Sequence, residues 1–106
     1  MIALGLLLAA SQPLPTPAWL AGVWAPITDE LIEDARACEA ADSRYYGRDG
    51  SFERDDMGGD WRLAGNRLTE IAGEDGAIAS RVVRLSPNRM RVIDADGEQL
   101  VFTRCR

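Results

Sequence analysis

A small group of carboxylates offers the first candidate for chemistry. Asp55, Asp56 and Asp60 surround Met57 and two glycines, and clustered carboxyl groups can act as an acid and base pair or hold a divalent cation. Either role needs a carboxyl group whose surroundings shift its pKa. The spacing fits a solvated acidic loop equally well. We expect the loop, with a hydrolase built on Asp55 and Asp60 as the minor alternative.

A second acidic segment, Asp94–Glu98, has the sequence DADGE and resembles the start of a calcium loop. The later ligands of such a loop, above all the bidentate glutamate, do not follow at the required spacing. We therefore interpret the segment as a hairpin turn and expect no metal site.

The chain contains no histidine and no lysine among its 106 residues. A missing imidazole excludes the usual serine and cysteine triads, histidine-bearing zinc sites and a proton shuttle near neutral pH. A missing lysine excludes Schiff-base chemistry and the phosphate-binding lysine of a P-loop. We expect a protein that is not an enzyme and has no cofactor.

Charge is distributed unevenly along the chain, whose net charge is −5. Asp29–Asp60 holds eleven acids and four arginines, a net −7, whereas Trp61–Arg106 holds six acids and eight arginines, a net +2. No run of basic residues stands out. Because nucleic acids and anionic membranes are bound through basic clusters, neither is an expected partner.

The N-terminal segment predicts export. Ile2–Ala10 is an apolar run that ends in small residues, as in a signal peptide, although no arginine precedes it. Nine helical residues rise only about 14 Å, too little for a stable membrane span. We interpret residues 1–11 as a signal peptide of a periplasmic or secreted protein, the alternative being a buried N-terminal strand.

Cys38 and Cys105 are the two cysteines of the chain. An even number in a short exported protein predicts one disulfide. It would close a loop of about 67 residues, worth about 4 kcal/mol in the loop-entropy view. No CxxC-like spacing suggests a redox-active pair.

Residues 12–18 form a proline-rich arm, since Pro13, Pro15 and Pro17 favour an extended segment without partners of its own. Trp19–Ala25 has the composition of a first strand. Trp19 is a candidate anchor for a partner, or else it seals one end of the fold. The candidate partner-binding residues are Pro13, Pro15, Pro17 and Trp19.

A helix is predicted over 28–40, where Thr28 can cap its first turn and Leu31, Ala35 and Cys38 share one face. That face would turn Cys38 towards the core.

From Ser43 onward, short β-type segments alternate with turn residues. The predicted turns are Arg48–Gly50, Gly58–Gly59, Gly65–Asn66 and Asp96–Gly97. The pattern predicts a mainly β protein, a small antiparallel meander barrel of seven or eight short strands over residues 19–106, with the one short helix after the first strand. Closure removes exposed edges. Tyr45 and Tyr46 should point to opposite faces.

Gly22-Val23-Trp24, together with Arg104 near the end of the chain, resembles the signature of the lipocalins and the wider calycin group, in which a GxW packs against a late arginine. The stretch Gly59–Leu68 resembles a hairpin of small exported bacterial lipocalin-like proteins and of calycin-type inhibitors of secreted metalloproteases. The resemblance covers about 85 residues, from Trp19 to Arg104.

The resemblance implies a monomeric binding module that takes a small apolar ligand, an envelope component or a protein partner. A barrel this short is expected to fill its interior with side chains, which argues against a sizeable cavity. The alternative is an inhibitor of a secreted protease, because inhibitors of that type act through an extended N-terminal arm and residues 12–19 have the composition of one.

Overall fold

The computed structural model describes residues 12–27, 43–54 and 57–105. Within them the chain forms eight antiparallel strands, each paired with the next, and the last pairs with the first to close a barrel. The strands are β1 (Gly22–Pro26), β2 (Arg44–Tyr46), β3 (Ser51–Arg54), β4 (Met57–Ala64), β5 (Arg67–Ile71), β6 (Ala77–Ser86), β7 (Arg89–Ile93) and β8 (Gln99–Arg104).

The predicted fold class, a mainly β antiparallel meander barrel of seven or eight strands, is confirmed. The helix predicted over 28–40 falls outside the described residues. So do the predicted signal peptide, Cys38, Asp55 and Asp56.

Alternation along each strand sorts side chains between the interior and the outer face. On β4, Trp61 is buried and Arg62 exposed, and on β7 the buried Met90 and Val92 alternate with half-buried residues. Tyr46 is buried and Tyr45 is 41% exposed, as predicted. The buried apolar residues form one core cluster: Leu20, Trp24, Tyr46, Phe52, Trp61, Leu68, Ala72, Val82, Met90, Val92 and Phe102.

Three of the four predicted turns occur where the sequence placed them, at 48–50, 65–66 and 94–97. The Asp94 carboxylate accepts hydrogen bonds from the backbone N–H groups of Asp96 and Glu98, both at 2.9 Å, which is a turn-stabilising role. A further turn at Pro87–Asn88 joins β6 to β7. The Ser-Pro-Asn sequence there was the available signal for it.

The predicted turn at Gly58–Gly59 is wrong, because both glycines lie inside β4. A Cβ placed on Gly59 would lie 2.0 Å from the carbonyl oxygen of Ile71. Gly59 therefore allows the backbone of β4 to approach the backbone of β5 closely.

A four-residue helix, α1 (Pro17–Leu20), precedes β1, so the prediction of a strand over Trp19–Ala25 is wrong for Trp19, Leu20 and the helix cap Ala21. The Thr16 hydroxyl accepts a hydrogen bond from the Trp19 backbone N–H at 3.2 Å. Pro17 occupies the start of the helix, where its missing N–H costs nothing. These two residues begin a helix despite the β-type composition that follows.

Candidate functional site

Helix α1 lies across one end of the barrel, which we call the arm end. Trp19 packs on Trp24 with 5.1 Å between ring centroids, and its indole N–H donates to the carbonyl of Pro87 at 2.8 Å. The Trp24 indole N–H in turn donates to the carbonyl of Leu20 at 2.8 Å. Both indoles are thus fixed, and Trp19 closes this end of the barrel.

Arg104 joins the last strand to this closure. Its guanidinium lies 4.3 Å from the Trp24 ring centroid and donates to the carbonyls of Ala21, at 3.0 Å, and of Trp19. Gly22, at φ +135°, leaves the space for it, since a Cβ there would lie 3.2 Å from the guanidinium. The three residues of the lipocalin-like signature, Gly22, Trp24 and Arg104, are therefore in contact in one structural unit.

A second arginine shares the arm end. The Arg84 guanidinium lies 4.9 Å from the Trp19 ring centroid, so Trp19 is contacted by Arg84 and Arg104 together. Burial, followed by the positive charge of Arg84, lowers the pKa of Arg104 below its ordinary value. Buried Arg84 Nε has no hydrogen-bond acceptor among the residues that the structure describes. The site therefore concentrates positive charge beneath a tryptophan.

The predicted partner-binding residues divide into two kinds. Pro13 and Pro17 are exposed, whereas Pro15 is buried and Trp19 is half-buried with its indole N–H occupied. Between the first two prolines, Leu14 is 68% exposed. The arm is therefore held at Pro15 and Trp19 and presents Pro13, Leu14 and Pro17 to solvent, which differs from the free arm that the sequence predicts.

Two adjoining clefts lie between α1 and the β2–β3 turn, with volumes of about 580 and 260 Å³. We call them together the arm cleft. Ala21 and Arg48 line both clefts. The exposed Tyr45 borders the larger one and Pro17 the smaller. The arm cleft thus combines an aromatic ring, a cation and an apolar helix start.

Inside the barrel, Glu70 on β5 is 0% exposed. Its carboxylate accepts a hydrogen bond from the Tyr46 hydroxyl at 2.7 Å and one from Arg54 at 3.1 Å. Arg54 is the ion-pair partner, with a side chain 20% exposed. Such pairing is what a buried charge requires. Sequence reasoning missed this cluster. The available signal was the alternation of Leu68, Glu70 and Ala72, which places the Glu70 side chain on the interior face.

Burial, then the negative charge of Glu70, raises the pKa of Tyr46 well above its ordinary value, while Arg44 acts in the opposite direction. Arg44 and Arg54 are register partners on β2 and β3, and the Arg44 guanidinium lies 4.5 Å from the Phe102 ring centroid. Tyr46 therefore stays protonated and donates to Glu70. The cluster is a satisfied polar network inside an apolar barrel.

Of the three carboxylates first considered for chemistry, Asp55 and Asp56 lie outside the described residues and only Asp60 can be placed. Asp60 is exposed on β4, opposite Ile71. Among described residues no three histidine, cysteine, aspartate or glutamate side chains are grouped to hold a metal ion. In the same residues, no helix has the length and apolar character to cross a membrane.

The sequence matches no protein-family model, and comparison with curated proteins and with solved structures finds no significant similarity. The closed eight-strand barrel is consistent with a calycin-like or lipocalin-like fold.

Proposed function

We propose that this protein is a non-enzymatic exported binding module of lipocalin-like type, and that it binds a protein partner on its outer surface rather than a small molecule inside the barrel. The observation that carries the proposal is the occupation of the barrel interior by large side chains. Six of them are at most 1% exposed: Trp24, Tyr46, Phe52, Leu68, Met90 and Phe102.

These side chains leave little space inside the barrel for a small apolar ligand. Trp61 joins the same cluster, with its ring 5.6 Å from that of Tyr46 and its indole N–H donating to Gly47 at 2.9 Å. A ligand inside would have to displace aromatic rings that are packed and hydrogen-bonded. Protein interiors packed in this way resist such insertion by a few kcal/mol.

The outer surface, by contrast, offers a shaped site next to the arm. The arm cleft is bordered by exposed Tyr45 and Arg48, residue types that are enriched in protein interfaces. Its wall on the other side is α1, whose position is fixed through Trp19. A rigid cleft of this kind favours a protein partner, because little ordering is needed on binding.

Titration with an apolar fluorescent probe, cis-parinaric acid, tests the choice between interior and surface. We expect no saturable binding by the wild-type protein, and none by Met90→Ala, because the void left by one truncated side chain is far smaller than this long-chain fatty acid. Saturable one-to-one binding by the wild-type protein would establish a carrier and overturn the proposal.

A second candidate function is inhibition of a secreted protease through the arm, and exposed Leu14 favours it. Leu14 projects from a segment anchored by buried Pro15, so it could enter a substrate pocket of a protease. Its test is inhibition of a panel of secreted metalloproteases and serine proteases by the wild type and by Leu14→Ala.

Leu14→Ala should raise the inhibition constant about tenfold, the effect of losing one anchor residue. The matched control is Leu100→Ala, which removes a leucine that is 49% exposed and lies at the far end of β8 from the arm. An equal effect of the two variants, or no inhibition of any protease in the panel, would eliminate this candidate.

A further inference from the structure

Four arginines that are distant in sequence form a continuous stripe on the outside of the barrel. Arg67 on β5 lies directly opposite Arg81 on β6. On β4, Arg62 pairs with Thr69, which lies two residues along β5 from Arg67. On β7, Arg91 pairs with Val83, which lies two residues along β6 from Arg81. The arginine stripe therefore crosses β4–β7 through Arg62, Arg67, Arg81 and Arg91.

The stripe carries positive charge that is not paired with any acidic side chain in the described parts of the chain. Arg62, Arg67 and Arg81 are exposed, and no described residue forms a side-chain hydrogen bond or ion pair with any member of the stripe. Like charges directly opposite each other on neighbouring strands destabilise a sheet. The Arg67–Arg81 pair is thus an unfavourable arrangement on its own and becomes favourable when an anion lies between the two guanidinium groups.

A groove of about 540 Å³ lies over this pair. Arg67 and Arg81 line it together with Asn66, and Ala79 and Ile93 add apolar surface. Asp94 also lines the groove and adds a negative charge to it, with one carboxylate oxygen accepting hydrogen bonds from the backbone N–H groups of Asp96 and Glu98. The groove thus offers two cations, an amide and an apolar surface to a bound segment, against the single negative charge of Asp94.

We infer that the arginine stripe and its groove bind an acidic peptide segment of a partner protein. Facing side chains on neighbouring strands are about 5 Å apart and diagonal ones about 7–8 Å. Alternate residues of an extended peptide are separated by nearly 7 Å. Carboxylates on alternate residues therefore match the stripe, and each can accept a pair of hydrogen bonds from one guanidinium.

Acidic residues near the stripe favour a short segment over a long polyanion or a membrane. Asp60 lies two residues from Arg62, and Glu98 is exposed in the turn beside the groove. The chain as a whole has a net charge of −5. A short peptide can contact the arginines without lying against these carboxylates, whereas an extended anion would contact both.

The inference rests on the proposed function only in taking the partner to be a protein bound on the outside. The stripe lies on β4–β7, whereas the arm cleft lies beside β1 and the β2–β3 turn. The two surfaces can therefore be tested separately, and the cis-parinaric acid titration reports on the proposed function alone.

The test uses a fluorescein-labelled peptide in which four glutamates alternate with alanines, measured by fluorescence anisotropy with the full chain. We expect saturable binding at 20 mM salt that is lost at 500 mM, as for a site built from exposed charges. Arg81→Gln should weaken binding about two- to fivefold, and the double variant Arg67→Gln, Arg81→Gln about tenfold. Asn88→Asp lowers the net charge by the same one unit at the exposed β6–β7 turn, outside the lining of the groove, and should leave binding unchanged.

Arg81→Gln should also have an unchanged or slightly higher midpoint of thermal unfolding, because the substitution relieves the repulsion from Arg67. Such a midpoint would show that the weaker binding does not come from misfolding. Equal losses for Asn88→Asp and Arg81→Gln, or no binding by the wild type at 20 mM salt, would overturn the inference. Tighter binding to duplex DNA or to vesicles of anionic phospholipid than to the peptide would overturn it as well.

Discussion

A carboxylate in the middle of an apolar barrel is the residue-scale feature that most needs a physical reason. Glu70 is fully buried and is stabilised by Arg54 and by the Tyr46 hydroxyl. Removal of one partner of a buried pair leaves a charge without compensation, which costs several kcal/mol. The cluster therefore fixes the relative positions of β2, β3 and β5.

The pH dependence of stability should report on Tyr46. Its pKa in the folded protein is raised above the ordinary 10.0. Its contribution is therefore fully present below pH 10 and declines as the pH rises, because the unfolded chain releases this proton first. Above pH 10 this costs up to about 1.4 kcal/mol per pH unit.

Urea unfolding of the wild type and of Tyr46→Phe between pH 8 and 11 measures this contribution. The variant should be less stable by about 1–3 kcal/mol at pH 8, because Glu70 loses a hydrogen bond. The difference between the two proteins should shrink above pH 10. A difference that stays constant up to pH 11 would contradict the raised pKa.

Gly22→Ala tests the contact between β1 and Arg104. The alanine would have to adopt the positive φ of Gly22. Its Cβ would also lie 3.2 Å from the Arg104 guanidinium, which is itself hydrogen-bonded to α1 and to the residue that caps it. Gly65→Ala is the matched control, with φ +61° and no atom within 4 Å of its Cβ. We expect a loss of about 1 kcal/mol for the control and at least about twice that for Gly22→Ala. Equal losses in chemical denaturation would mean that only the backbone conformation matters.

Residue faces were predictable and residue partners were not. Strand alternation placed Tyr45 and Tyr46 on opposite faces without knowledge of the register. The Glu70–Arg54 pair depends on two strands that are not neighbours in the barrel. A glutamate is also an unfavourable core residue unless its partners are known, so the sequence alone did not reveal this cluster.

At the scale of elements, local signals at helix and strand ends decided the outcome more than composition did. Trp19 and Leu20 have apolar side chains that fit a strand, yet Thr16 and Pro17 begin a helix there. Gly58 and Gly59 have turn composition, yet they lie in β4 where Ile71 approaches. In both places the tertiary contacts needed for a correct assignment involve distant residues.

Trp19→Ala should destabilise the protein because α1 closes the barrel through this side chain. The variant loses the contact with Trp24, the stacking of Arg84 and the hydrogen bond to Pro87, and we expect a cost of about 2 kcal/mol. Leu14→Ala, in the exposed part of the same arm, should leave the free energy of unfolding unchanged. A Trp19→Ala variant as stable as wild type would show that this indole is free to serve a partner.

At the scale of the whole molecule, barrel closure creates surfaces that no sequence window contains. Arg62, Arg67, Arg81 and Arg91 are scattered over thirty positions, so the sequence shows no basic cluster. The register of β4–β7 brings them together. The sequence therefore shows only that the chain has no linear run of basic residues. It cannot show which arginines become neighbours on adjacent strands, because that depends on the register.

The predicted disulfide between Cys38 and Cys105 belongs to this scale, because it would link the connection after β1 to the end of β8. Cys105 follows β8, and its backbone N–H donates to the carbonyl of Val23 at 2.7 Å. A bridge that closes a loop of about 67 residues should contribute about 4 kcal/mol, chiefly by restricting the unfolded chain. Reduction should therefore lower the midpoint of thermal unfolding by more than about 10 °C.

Thermal unfolding with and without a strong reductant measures this effect. Cys38→Ser is the matched variant. Its unfolding midpoint should equal that of the reduced wild type and should not change with reductant. Thiol titration under denaturing conditions should find none in the oxidised protein and two after reduction. A reductant-independent midpoint together with two reactive thiols before reduction would show that the cysteines are not paired. The backbone pairing of β1 with β8, the interior packing and the Arg104 contacts would then hold the last strand against the first without a covalent link.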